Sequence, residues 1–129
     1  MDVGAARLLG QRLQDALDAG DLPALDGAID MLREVLAGLP ENDPDRPMHL
    51  ANLAAASSVR FDWTGRRSDI DAATDAARQA VAAVDAGHPA RAVYLANLGG
   101  VLSNRHQVTG DPADRPSARL ADQLYAELS

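Results

Sequence analysis

Apolar residues return at helical spacing along the whole chain. Leu9, Leu13, Ala16 and Leu17 stand at i, i+4, i+7 and i+8, the single stripe of an amphipathic helix. Leu50, Leu53, Ala54, Ser57 and Phe61 draw a second stripe, and Leu95, Leu98, Gly99, Leu102 and His106 a third. Between them run Leu25, Ala28, Ile29, Leu32, Leu36 and Leu39, then Ile70, Ala73, Ala77, Ala80, Val81 and Val84, and last Ala121, Leu124, Tyr125 and Leu128. The pattern predicts about six helices, at 3–18, 23–38, 47–63, 69–86, 90–107 and 115–128. Pro47 and Pro89 fall at expected helix starts, and Gly20, Gly65 and Gly110 at expected stops. Ser68 with Asp71 reads as an N-terminal cap for the fourth helix.

These stripes belong to one unit written more than once. A shift of 45 residues lays Asp26, Ala28, Asp30, Arg33 and Ala37 on Asp71, Ala73, Asp75, Arg78 and Ala82. The same shift carries Pro44 and Arg46 onto Pro89 and Arg91, and Leu50-Ala51-Asn52-Leu53 onto Leu95-Ala96-Asn97-Leu98. Ser58, Arg60, Thr64, Gly65 and Asp69 then meet Ser103, Arg105, Thr109, Gly110 and Asp114. Sixteen of the 44 paired positions from 26 to 69 are identical, more than an alanine-rich chain readily reaches by chance. Carried backward, the shift puts Leu8 on Leu53 and Gly20 on Gly65, so the first segment reads as a worn copy. The last helix matches its predecessor at a shift of 44, which implies one residue lost near Arg115-Pro116. The chain is therefore expected to be one all-α domain, 1–129, of three tandem antiparallel helix pairs, at about 3–39, 47–86 and 90–128. Each pair is an A helix, a tight glycine turn and a B helix, and the final B helix is expected to cap the stack.

Composition agrees with helices. The 129 residues suffice for a single core without metals or disulfides. Aromatics make up only 3%, leaving Leu, Val and Ala to build that core. Cysteine is absent, which removes disulfides, thiolate nucleophiles and thiolate zinc sites and fits a cytoplasmic setting. A net charge of -7 opposes binding to nucleic acid or to anionic membranes. Nothing approaches the roughly 20 apolar residues of a membrane span. All twelve basic residues are arginine, a bias resembling that of proteins from genomes rich in G and C.

Leu95 to Gly99 as Leu-x-x-Leu-Gly, the Thr-Gly turn at 109–110 and the Asp-x-Ala-x-Asp start of the B helices together resemble a tetratricopeptide repeat. The period is similar to that of the longer variety found in tandem in actinobacterial proteins, often joined to caspase-like peptidase or nucleotide-binding modules. The likeness runs from about Leu8 to Asp114. It departs from the common motif in its period, 45 residues instead of 34, and in having aliphatic residues at most of that motif's aromatic positions. The resemblance implies a right-handed α-solenoid whose A helices line a concave groove, with the gripping of a peptide or partner protein as its usual work.

If the A helices line a groove, the shift makes Arg7, Asn52 and Asn97 equivalent positions on it, with Gln14 and Asn104 nearby. In the family resembled, an asparagine at such a place holds the backbone of an extended ligand, for which its amide offers donor and acceptor together; Arg7 would receive a carboxylate. The competing reading is that the asparagines bridge A helices. Met48, Ala55, Val59, Val93 and Gly100 are further inner-face candidates. The small ones among them either leave room for a ligand or let helices approach, and close packing is the preferred reading. Arg60 and Arg105 near A-helix ends, and Asp26, Asp30, Asp71 and Asp75 in first turns of B helices, suit the helix dipole. Trp63 is a candidate interface anchor. His49, His88 and His106 lack metal-ligand spacing, and no serine, carboxylate pair or glycine-rich loop stands in a catalytic arrangement. No cofactor and no enzymatic activity are expected. The leading expectation is a module for protein or peptide binding. Two alternatives stay open: a small-molecule-binding or enzymatic helical domain of a biosynthetic pathway, and a self-association element that pairs as a homodimer.

Overall fold

The computed structural model describes residues 3–110, which are all-α: α1 (Val3–Ala19), α2 (Leu22–Gly38), α3 (Arg46–Thr64), α4 (Arg67–Ala82) and α5 (Arg91–Thr109). The sixth expected helix, at 115–128, lies outside the described residues, as do its stripe and the residue lost near Arg115-Pro116. Each helix packs on the next in chain order, and α5 also touches α3. One core threads all five. It takes Leu9 and Leu13 from α1, Leu25, Ile29 and Leu32 from α2, Leu50 and Leu53 from α3, Ala77 and Ala80 from α4, and Leu95, Leu98 and Leu102 from α5. Ile70, Ala73 and Val101, with Phe61 against them, form a smaller cluster between α3, α4 and α5.

The turns repeat as the sequence does. Gly20, Gly65 and Gly110 close the three A helices at φ of +63°, +70° and +68°, a backbone that side-chain-bearing residues rarely adopt. The Gly65 and Gly110 amides donate to Phe61 and His106 carbonyls at 2.7 Å, each finishing a last turn. Asp21 caps α2 by accepting from the Ala24 amide at 3.1 Å.

The two longer links are held by one device used twice. Arg46 Nη1 donates to the carbonyls of Leu36 at 2.9 Å and Leu39 at 3.5 Å. Forty-five residues on, Arg91 Nη1 donates to Val81 at 3.1 Å and Val84 at 2.8 Å. The last carbonyls of a B helix have no partners inside their helix. The arginine of each Pro-x-Arg segment supplies them and ties the start of the next A helix to the end of the previous B helix.

Four expectations need correction. Helix α4 starts at Arg67, and Ser68 and Asp71 make no cap there; its first-turn acid is Asp69, turned inward to an arginine. The same helix stops at Ala82 instead of 86, where the Arg91 clamp takes its carbonyls. Pro89 precedes α5 by two residues and does not open it. In the first unit the shift holds at the turn glycine but not at Leu8: Leu53 is 9% exposed and Leu8 is 51% exposed. Helix α3 has neighbours in α2, α4 and α5, whereas α1 packs on α2. Among the described residues the side of α1 that Leu8 occupies is left open.

Candidate functional site

Helices α3 and α5 both belong to the A set, and between them lies a groove of about 360 Å³. The helical period that keeps Leu50, Leu53, Leu95 and Leu98 in the core turns Ala55, Val59, Asn97, Gly100 and Asn104 toward this groove. Ser58 adds a hydroxyl, and Ala54, Ala96 and Val101 complete an apolar lining. No charged side chain lines it. Two primary amides and one hydroxyl over an apolar floor can pair with an uncharged extended backbone, since each amide both donates and accepts.

Gly100 distinguishes between the two readings of the small residues. A Cβ built there would meet nothing within 4 Å. Helix approach does not demand a glycine at this position, so its smallness leaves the groove open and the preference for close packing is corrected here.

Of the site residues expected from sequence, the groove gathers Asn97 and Asn104. Asn52 is half-buried on α3, one turn before Ala55, and is not part of the lining. Arg7 and Gln14 stand exposed on α1, away from the groove, and Gln14 Nε2 donates to Asp18 Oδ1 at 2.8 Å within its own helix. Met48 and Val93, equivalent under the shift, are exposed at the first turns of α3 and α5. Trp63 is 40% exposed at the end of α3, and its equivalent Val108 is exposed at the end of α5.

The helix-dipole reading of the charged residues is corrected: neither Arg60 nor Arg105 stands in the last turn of its helix, and none of Asp26, Asp30, Asp71 and Asp75 stands in the first turn of α2 or α4. Arg60 lies half-buried between two carboxylates, its Nε on Asp69 Oδ1 and its Nη1 on Asp26 Oδ1, both at 2.9 Å. Thr64 Oγ1 donates to the other Asp69 oxygen at 2.9 Å and accepts from the Arg66 amide at 3.2 Å. Burial alone would lower the Arg60 pKa; the hydrogen bonds and charges of Asp26 and Asp69 outweigh it, and the group is raised above its ordinary value. The pair recurs as Arg105 with Asp71 at 3.1 Å. The shift carries Arg60 onto Arg105 and Asp26 onto Asp71 together, so the sequence held the signal. The role of Asp69 was missed because nothing in spacing marks a buried acid.

His49 is 2% exposed, and neither ring nitrogen has a hydrogen-bond partner among the described residues; the buried Ser57 hydroxyl is in the same position. Such groups cost stability. Burial pushes the hydroxyl of Tyr94, the shift equivalent of His49, up from its usual pKa. Among the described residues no three of His, Cys, Asp or Glu converge, and no helix is long and apolar enough to cross a membrane. No protein-family model, curated protein or solved structure matches this chain.

Proposed function

We propose that this chain is a tetratricopeptide-like right-handed helical stack, completed by a sixth helix, that works as a scaffold by binding an extended peptide or a partner protein in the groove between α3 and α5. Asn97 and Asn104 pair with the ligand backbone, and Ala55, Val59 and Gly100 leave room for it. The observation that carries this reading is the open space at Gly100 beside Asn97 and Asn104, two helical asparagines that line the groove. Asparagine is a mediocre helix former, so two of them on one face of α5 call for a use. A neutral or basic ligand suits the net charge of -7. The reading requires no cofactor and no catalysis, and an arginine-only, cysteine-free chain fits an actinobacterial cytoplasm.

A displayed library of unstructured peptides tests it, with the full chain as bait. Peptides retained by the wild type are expected to bind Gly100→Leu and Asn97→Ala at least about tenfold more weakly, while both variants keep their thermal unfolding. A library that yields no binder, or binders indifferent to both substitutions, sinks the proposal.

A further inference from the structure

A wider cavity than the α3–α5 groove lies between α1 and α2, at about 650 Å³. Ala16, Ala19, Ala24, Gly27, Ala28 and Met31 form its apolar floor, and Arg12, Asp15 and Asp21 its rim. The repeat identifies what this face is. Shifted by 45, Arg12, Asp15 and Ala19 become Ser57, Arg60 and Thr64, while Ala24, Gly27 and Met31 become Asp69, Ala72 and Ala76. In the second unit that face is covered: Ser57, Asp69 and Ala76 are buried, and Arg60 reaches out to Asp26 of α2. Arg33, Leu36 and Ala37 of α2 face Ala72, Asp75, Ala76 and Gln79 of α4 across the same boundary. In the first unit the equivalent face is open, with Arg12, Asp15, Ala19, Ala24 and Gly27 all exposed.

The molecule thus displays, one unit along, the kind of element that fits the cavity. It is an amphipathic helix presenting the face by which α2 meets α3 and α4. The charge has changed sign. Arg60 receives an acid, Asp26; at its equivalent in the first unit stands Asp15, whose only side-chain partner among the described residues is the neutral Gln11 amide at 2.8 Å. Asp21 adds a second acid on the rim. Arg12 lies across the groove with its Nη1 against Met31 Sδ at 3.6 Å, a contact an incoming helix can displace.

We infer that the α1–α2 groove docks an amphipathic helix of a partner protein, one that resembles α2 but carries a basic residue where α2 has Asp26, set against Asp15. This inference goes beyond the α3–α5 groove and does not depend on it.

The probe is a helix-stapled peptide copying residues 22–38 with Asp26→Arg, compared with the unaltered peptide, on the full chain labelled for amide NMR. The arginine peptide is expected to shift the amides of Ala16, Ala19, Ala24 and Gly27 and to bind about tenfold or more tightly than the aspartate peptide. Asp15→Arg in the protein should reverse that preference. Asp15 is exposed, so the fold should not notice. Gly27→Gln, where a Cβ meets nothing within 4 Å, should block both peptides without unfolding the chain. The inference is overturned if millimolar arginine peptide leaves these amides unmoved, if the shifts fall on other helices, or if Asp15→Arg does not alter the preference.

Discussion

Two arginines one repeat apart show how environment sets the worth of an ion pair. The Arg60 side chain is 13% exposed and its partner Asp69 is 4% exposed, so removing one member strands a charge out of water. Arg105 and Asp71 are 25% and 46% exposed, where water screens the attraction. Arg60→Ala is therefore expected to cost roughly 2 to 4 kcal/mol and Arg105→Ala about 1 kcal/mol or less, read from urea unfolding of each variant. Equal losses would mean that the Asp69 pocket contributes nothing beyond a surface pair. The sequence aligned the two arginines as equals; their burial in the fold separates them.

At the scale of the element, α1, α3 and α5 each end where a glycine takes a left-handed backbone, and α2 and α4 each end in an arginine clamp. Gly65→Ala tests the first of these. Its φ is +70° and a Cβ meets open space, so the cost is backbone strain alone, about 1 to 2 kcal/mol, visible as a lower melting temperature. An unchanged melt would show that the turn relaxes at no cost. The glycines were legible in the sequence because few residues tolerate that conformation. The clamps were not: Pro44-x-Arg46 and Pro89-x-Arg91 stood out as repeated, but a hydrogen bond from a side chain to carbonyls seven and ten residues back depends on where the link turns. Helix boundaries followed the same division. Starts and stops marked by glycine or periodicity fell within a residue or two, whereas the end of α4, decided by Arg91, was four residues earlier than its alanine run suggested.

For the molecule as a whole, each described helix packs on the next in chain order, and where contacts are confined to neighbours stability is approximately a sum over them. Among the described residues α3 packs against α2, α4 and α5, while α1 packs mainly on α2, with the wide groove beside it. The amides in the middle of α1 are expected to exchange with deuterium about tenfold or more faster than those of α3. Equal protection across both helices would mean that the five helices open only as one unit. If a helix docks in the α1–α2 groove, its binding should slow exchange in α1 selectively.

The all-α class, the five described helices and the glycine turns followed from the sequence, because helical periodicity and positive φ are local demands that each segment states for itself. Which copies of a repeated residue meet a partner was decided by tertiary structure. Asn97 lines the α3–α5 groove while Asn52 and Arg7 do not, and Leu8 is exposed while Leu53 is buried. A 45-residue shift makes such positions equivalent in sequence, but burial depends on the helices on either side, and among the described residues a helix at the end of the series has fewer of them to pack on.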